Sequence, residues 1–238
     1  MEVFWSLPAQ RGTPCALTIG KFDGVHLGHR SIIYRLIAAA VQRGLPACAL
    51  TFDPHPVEFF LKERAPTRLT TLPEKVRLLA ESGLDRLYVC PFDQRVARMS
   101  PQSFVQDLLV GQLGARWLLV GNDFRFGEGR TADVKTLRTL GEPSGLEVAT
   151  TGLLQIDGRS VSSTSIRKAM SDGEWDVASR LLGREATLPS SGACRQIKAE
   201  TAVRASALRR SPKRGIHQRI LMDLIDSSNF TKPVLETT

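Results

Sequence analysis

The chain has 238 residues, of which 42% are hydrophobic and 24% are charged, the composition of an ordinary globular protein. Its 19 glycines and 13 prolines are too few for a collagen-like or low-complexity chain. The longest apolar run, residues 36–41, is much shorter than a bilayer span. Residues 1–7 lack the basic start and apolar centre of a secretory signal. We therefore expect neither a membrane partner nor export.

The formal net charge of +8 fits either a nucleic acid or an anionic small molecule as the partner. Half of this excess lies in residues 185–238, which carry nine Lys and Arg against five Asp and Glu. A nucleic-acid surface is therefore not required, and we expect small-molecule substrates. The four cysteines form no Cys-x-x-Cys pair, which favours a reducing, cytoplasmic setting.

Apolar strand-like runs alternate with amphipathic helical patterns through the first 184 residues. Strands are predicted at 16–20, 47–53, 86–90 and 117–121, and helices at 29–43, 73–82 and 100–113. A hairpin is predicted over residues 146–162, with its turn at Asp157 and Gly158. Apolar strands separated by helices indicate a parallel sheet covered on both faces, which is an α/β, Rossmann-like doubly wound fold.

The last quarter of the chain has a different character. Residues 185–238 contain one aromatic residue, Phe230, and only residues 216–225 show helical periodicity. We therefore expect residues 1–184 to form the domain and residues 185–238 to form a poorly structured basic tail with one helix at most.

The strongest signal for chemistry lies between the first predicted strand and the first predicted helix. Residues 20–29 read Gly-Lys-Phe-Asp-Gly-Val-His-Leu-Gly-His. At such a junction, glycines let backbone N–H groups approach a phosphate, and the helix N-terminus favours an anion. His26 and His29 can both donate hydrogen bonds to one anion. Two unrelated histidines in a capped loop are the less favoured alternative, because the chain has only four histidines.

Residues 26–29 resemble the His-x-Gly-His signature of the nucleotidyltransferase superfamily. The longer run Phe-Asp-Gly-Val-His-Leu-Gly-His resembles bacterial FAD synthetases, which are usually bifunctional with riboflavin kinase. Three more motifs agree with that family in order and spacing. They are Phe-Asp-Pro-His-Pro at 52–56, Gly-Asn-Asp-Phe-Arg-Phe-Gly at 121–127 and Ser-Ser-Thr-Ser-Ile-Arg at 162–167.

This resemblance implies that a phosphate oxygen of FMN attacks the α-phosphorus of ATP, giving FAD and pyrophosphate. It implies that Mg²⁺ comes with the ATP, without a dedicated protein metal site, and that His26 and His29 are catalytic. The implied ATP-binding residues are Gly20, Phe22, Asp23, Gly24, His26, His29, Asp123, Ser163, Thr164 and Arg167. The implied flavin-binding residues are Phe52, Pro54, His55, Pro56, Phe124 and Phe126.

Taken singly, two of these motifs have ordinary structural interpretations. The serine-rich run at 162–167 is typical of a helix N-cap, and the paired prolines around His55 are typical of a turn. Phe124 and Phe126 alternate in direction, so one is expected in the core and the other on the isoalloxazine ring. Of the two, we favour Phe126 for the flavin.

The end of the chain departs from the bifunctional pattern. Residues 185–238 contain no glycine-rich strands and no Pro-Thr-Ala-Asn run of the flavokinase barrel, so we expect no riboflavin kinase activity. Three alternatives remain open: nucleotidyl transfer to another phosphorylated metabolite, a weakened flavin- or nucleotide-binding remnant, and nucleic-acid binding through the tail. The sequence leaves the oligomeric state undetermined.

Overall fold

A computed structural model of the chain describes residues 1–187, and these residues contain a six-stranded parallel sheet. Its strands are β1 (Glu2–Phe4), β2 (Cys15–Ile19), β3 (Ala47–Asp53), β4 (Arg86–Pro91), β5 (Ala115–Gly121) and β6 (Glu147–Thr151). They lie in the order β1-β4-β3-β2-β5-β6. The predicted tail, with its helix at 216–225, lies outside the described residues.

Helices lie between these strands and also follow the last of them. They are α1 (Leu27–Arg43), α2 (Pro56–Leu61), α3 (Leu72–Ala80), α4 (Gln94–Ala97), α5 (Pro101–Ser103), α6 (Val134–Gly141), α7 (Ser163–Ser171) and α8 (Trp175–Leu182). Helix α5 continues as a π-helix over Phe104–Gln112. Within residues 1–187, no helix has both the length and the apolar character needed to cross a bilayer.

Two hydrophobic cores cover the two faces of the sheet. Because successive strand residues point to opposite faces, Leu17 packs in one core and Ala16 in the other. The core around Leu17 contains the apolar side of the π-helix and Leu137 of α6. The opposite core is formed with apolar residues of α1 and α3. This two-sided covering confirms the predicted doubly wound α/β fold.

The strand order creates a topological switch point between β2 and β5. The chain first proceeds outward from β2 through β3 to β4, and then returns to place β5 on the other side of β2. Ligands of such sheets bind where the connections diverge, at the carboxyl ends of these strands. The loops after β2 and β5 therefore meet at the expected binding edge.

The structure confirms the four predicted strands as β2–β5 and corrects the ends of the sheet. Strands β1 and β6 were not predicted. The predicted hairpin over 146–162 is wrong in extent, because residues 147–151 form β6, parallel to β5. The hairpin is confined to β7 (Gln155–Ile156) and β8 (Arg159–Ser160), with Asp157 and Gly158 at its turn as expected. A half-exposed edge strand has no continuous apolar run to distinguish it from a hairpin arm.

Gly114, just before β5, and Gly145, shortly before β6, have almost the same backbone conformation but different surroundings. The pair therefore tests the packing beside Gly114, where β2 and β5 begin. Gly114 and Gly145 have φ of 69° and 68°. A Cβ on Gly114 would overlap the carbonyl oxygens of Thr13 and Gly12, whereas a Cβ on Gly145 meets nothing within 4 Å. In urea unfolding, Gly145→Ala should lower the free energy of unfolding by about 1 kcal/mol, and Gly114→Ala by about 3 kcal/mol or more. Equal losses would contradict this packing.

Candidate active site

A cavity of about 1210 Å³ opens at the carboxyl ends of β2, β3, β5 and β6. It brings together residues of all four motifs identified in the sequence. The predicted site residues that line it are Gly20, Phe22, Asp23, His26, His29, Phe52, His55, Pro56, Asp123, Phe124, Phe126, Ser163, Thr164 and Arg167. The lining residues do not include Gly24 and Pro54.

The two histidines lie against each other at the N-terminus of α1. Their rings stack with centroids 3.7 Å apart and planes 17° apart. His26 is the N-cap residue, and its Nδ1 accepts the backbone N–H of His29 at 3.3 Å. Because Nδ1 is an acceptor, the proton of the neutral His26 ring lies on Nε2. Nδ1 of His29 is buried without a hydrogen-bond partner among the described residues.

The glycine between the histidines has a packing role. A Cβ on Gly28 would lie 3.1 Å from Nδ1 of His26 and 3.0 Å from the carbonyl oxygen of Val161. Both contacts are tighter than most Cβ contacts, so a larger residue would press on the His26 ring. The glycine thus preserves the stacked arrangement of the two histidines.

Both histidines are held neutral. Burial lowers the pKa of His26 to about 3, and the charges of Arg184 and Arg167 act in the same direction. Burial also lowers the pKa of His29 well below its usual range, assisted by His26, Lys75 and Lys21. At neutral pH each ring therefore offers an N–H donor rather than a positive charge.

Asp23 contacts two other predicted ATP-binding residues, Ser163 and Arg167, and joins three segments of the chain. The Asp23 carboxylate accepts the backbone N–H groups of Leu69 at 2.9 Å and Thr70 at 3.2 Å, and it forms an ion pair with Arg167. The Ser163 hydroxyl donates to the backbone carbonyl of Asp23 at 2.9 Å. We call this set, Asp23, Ser163, Arg167 and residues 67–70, the Asp23 clamp.

The clamp leaves few of its polar atoms for a ligand. Nε of Arg167 donates to the carbonyl of Thr67 at 2.7 Å, so Nη1 is the guanidinium nitrogen without a bond among the described residues. The N–H of Gly24, expected to approach a phosphate, donates instead to the Thr70 hydroxyl at 3.0 Å. Asp23 and Gly24 therefore shape the loop after β2.

The Pro-His-Pro segment is rigidly capped on the other side of the cavity. His55 is the N-cap of α2, where Nδ1 accepts the N–H of Val57 and the carboxylate of Glu58 accepts the N–H of His55. Its Nε2 is buried without a partner among the described residues, and burial lowers the pKa of His55 to about 4. Arg68 braces the segment by pairing with Glu58 and with Asp53.

Aromatic rings form the wall beyond this segment. Phe52 meets Phe92 edge to face at 5.6 Å. Phe126 is 4% exposed and packs on Phe104, whereas Phe124 stacks on Phe126 and is only half-buried. Phe124 therefore presents the more accessible ring, in contrast to our preference for Phe126 from the sequence.

Comparison with known proteins places this arrangement in a family. A family model described as FAD synthetase matches residues 9–165. The chain belongs to the FAD synthetase family. The bifunctional riboflavin kinase/FMN adenylyltransferase of Escherichia coli (strain K12) is 43% identical over 169 residues, which are 71% of this chain and 54% of that protein. Its namesake from Pseudomonas fluorescens is 39% identical over 215 residues, 88% of this chain and 68% of that protein. The chain thus spans about half the length of the E. coli relative.

A solved structure supports the fold. The crystal structure described as a macrolide-efflux protein from Streptococcus pneumoniae superposes with a TM-score of 0.64. The match covers 76% of this chain and 62% of that one, at 24% sequence identity. At this identity the likeness concerns the fold alone.

The cavity also contains charged residues that were not predicted as site residues, among them Lys21 of the residue 20–29 motif, Arg68 and Lys75. The position of Lys75 could have been inferred, because it precedes Leu78 and Leu79 by three and four residues on a predicted helix.

The described residues contain no cluster of three His, Cys, Asp or Glu side chains able to hold a metal ion. The lining of the cavity instead combines hydrogen-bond donors with aromatic side chains. Binding of a phosphorylated aromatic ligand requires both.

The depressed pKa values predict acid destabilisation of the FAD synthetase domain. At pH values between its pKa in the folded state and about 6.5, such a histidine binds fewer protons in the folded state than in the unfolded state. The free energy of unfolding therefore falls as the pH falls. The loss should be about 2 kcal/mol for each such histidine between pH 6.5 and pH 5. His26→Asn retains an N-cap acceptor and should reduce this dependence in urea unfolding at the two pH values. An unchanged dependence would contradict a buried, neutral His26.

The Asp23 clamp can be tested with two matched substitutions. Asp23→Asn keeps an oxygen for the two backbone donors but removes the ion pair with Arg167, and should lower the free energy of unfolding by about 1–3 kcal/mol. Asp172→Asn alters an exposed pair with Lys168 and should change stability little. Urea unfolding measures both variants, and a similar small effect for both would reject the clamp.

Proposed function

We propose that the chain transfers the adenylyl group of ATP to FMN, giving FAD and pyrophosphate. The observation that carries the proposal is the stacked pair of neutral histidines at the N-terminus of α1, facing the same cavity as the aromatic wall. Membership of the FAD synthetase family supports it, as does the name FMN adenylyltransferase carried by relatives of 39–43% identity.

The chemistry requires positioning and charge stabilisation more than covalent work by the protein. An oxygen of the FMN phosphate forms a bond to the α-phosphorus of ATP, and the bond to the pyrophosphate oxygen breaks. Hydrogen-bond donors that are fixed in a water-poor site stabilise the charge that develops on the phosphoryl oxygens. His26 and His29 provide such donors, and the helix N-terminus adds a favourable dipole.

The phosphates of ATP are bound from a second helix N-terminus in this proposal. Ser162 caps α7 by accepting the N–H of Ser165 at 3.1 Å, and the exposed Thr164 beside it lines the cavity. Nη1 of Arg167 provides a cationic donor for the pyrophosphate leaving group. Mg²⁺ arrives with ATP and is part of the substrate, which needs few protein ligands.

The flavin ring is assigned to the aromatic wall. Phe124 offers a half-buried ring for stacking, while the exposed apolar residues Phe60 and Leu153 line the same cavity. A planar, apolar isoalloxazine matches such a surface, which a small polar phosphorylated metabolite would leave uncovered. This wall favours FMN over another phosphorylated acceptor.

Purified protein incubated with FMN and MgATP should produce FAD and pyrophosphate in equal amounts, as measured by chromatography and a coupled pyrophosphate assay. Riboflavin with MgATP should yield no FMN, because residues 185–238 lack the flavokinase motifs. His29→Ala should slow FAD formation by about 10²–10³-fold, because it removes one donor to the transition state.

Gln42→Ala is the matched control for His29→Ala, since Gln42 is exposed on the same helix. It should retain the wild-type rate, and both variants should keep the wild-type circular dichroism spectrum. An unchanged rate in His29→Ala would remove His29 from the transition state. Adenylylation of another phosphorylated metabolite, with none of FMN, would reject the proposed acceptor.

A further inference from the structure

Lys75 is a buried lysine in the wall of the active-site cavity. It lies on α3, where Lys75, Leu78 and Leu79 form the buried side of the helix, and it is 3% exposed. Lysine is almost never buried to this extent without a partner. Yet within residues 1–187 its ammonium group makes neither a hydrogen bond nor an ion pair, and Lys75 lines the cavity. A lysine whose stem is buried and whose ammonium group has no protein partner is suited to bind an anion in that cavity.

The carboxylates around Lys75 already have other partners. Asp23 is paired with Arg167 in the Asp23 clamp. Asp53 and Glu58 are both paired with Arg68. These three acidic groups attract the Lys75 ammonium only from a distance, and burial is the largest cause that lowers its pKa. The ammonium therefore retains its capacity to bind an anion from solution.

Other uncommitted groups line the same cavity. Lys21, Lys75, His29 and His55 are all among its lining residues, and the charges of both lysines lower the pKa of each histidine. Nδ1 of His29 and Nε2 of His55 are buried without partners among the described residues. Since Nδ1 of His55 accepts a hydrogen bond, its Nε2 bears the proton and is a donor. Two cations and a donor thus line one cavity, in which the carboxylates of Asp23, Asp53 and Glu58 are already paired with arginine.

We infer that Lys75 binds the phosphate of the acceptor flavin nucleotide and so makes the site select FMN over riboflavin. The identity of this ligand rests on the proposed function. The attacking phosphate must reach the α-phosphorus of ATP, so it has to lie between the nucleotide side and the flavin side of the cavity. Lys75 follows the segment that joins these two sides, because Arg68 pairs with Glu58 on the flavin side and the N–H groups of Leu69 and Thr70 bind Asp23 on the nucleotide side.

The competing assignment is to the phosphates of ATP. The groups proposed for ATP lie at the N-termini of α1 and α7, whereas Lys75 lies on α3, shortly after Arg68, which pairs with Asp53 and Glu58 on the flavin side. This connection to the flavin side favours the phosphate of FMN. The two assignments predict different binding data.

Flavin fluorescence titration of the full chain, with and without a saturating non-hydrolysable ATP analogue, provides the test. The wild type should bind FMN more tightly than riboflavin. Lys75→Met should weaken FMN binding about 10–100-fold, while riboflavin binding changes less than about twofold. Lys75→Arg should restore part of the FMN affinity. Lys135→Met, at an exposed position on α6, should bind both flavins like the wild type.

Thermal unfolding provides a second readout that excludes misfolding. Lys75→Met removes an unpaired buried charge, so its midpoint should equal or exceed that of the wild type. FMN should raise the midpoint of the wild type more than that of Lys75→Met.

Three results would overturn the inference: unchanged FMN affinity in Lys75→Met, an equal loss of affinity for FMN and riboflavin, or a loss of affinity for the ATP analogue instead of FMN.

The inference and the proposed function can fail separately. Wild-type protein that prefers FMN through Lys75 but forms no FAD with MgATP would reject adenylyl transfer and retain the phosphate site. Wild-type protein that forms FAD while Lys75→Met keeps normal FMN affinity would reject only the role of Lys75.

Discussion

The ion pair between Asp23 and Arg167 is the interaction on which the site depends. It joins the loop after β2 to α7 and, through two backbone donors, to the segment that precedes α3. The loop after β2 leads into the histidine pair at α1, and α7 contains the Ser-Thr-Arg motif. The segment before α3 leads into the helix that contains Lys75. The clamp is largely buried, with the Asp23 side chain 10% exposed, so breaking it would leave a charge without a partner in a poorly solvated place. The protein's own contacts therefore hold these three segments together at the cavity.

The second constraint is electrostatic. Arginines pair with the carboxylates of Asp23, Asp53 and Glu58 at the cavity, while Nε2 of His55 keeps an unused donor. Keeping these groups away from water lowers the stability of the folded domain, as the depressed pKa values of His26 and His55 indicate. An anionic ligand offsets that loss by supplying the missing acceptors. A site of this kind gains most from ligands with several phosphate oxygens, and ATP and FMN both provide them.

The sequence predicted the central part of the sheet because β2–β5 are continuous apolar runs bounded by turn residues. It missed β1 and β6 because each is a short or half-exposed edge strand. It also located the cavity, since loops that follow parallel strands meet at one edge of the sheet. It did not predict the clamp, because Asp23 reaches partners 46, 47 and 144 residues away, and no local periodicity records such contacts.

Whether a residue belongs to one of the sequence motifs and whether its polar atoms are free to bind a ligand are separate properties, as Asp23, Gly24 and Lys75 illustrate. Asp23 and Gly24 lie inside the most diagnostic motif, yet their polar groups are satisfied by Leu69 and Thr70. Lys75 lies outside every motif and keeps an unsatisfied charge in the cavity wall. A resemblance identifies which segments form the site, because it reflects the fold that brings them together. Which polar atoms remain free to bind depends on the hydrogen bonds that the fold itself forms. Those of Asp23 and Gly24 are used within the protein, whereas the Lys75 ammonium group has no partner among residues 1–187.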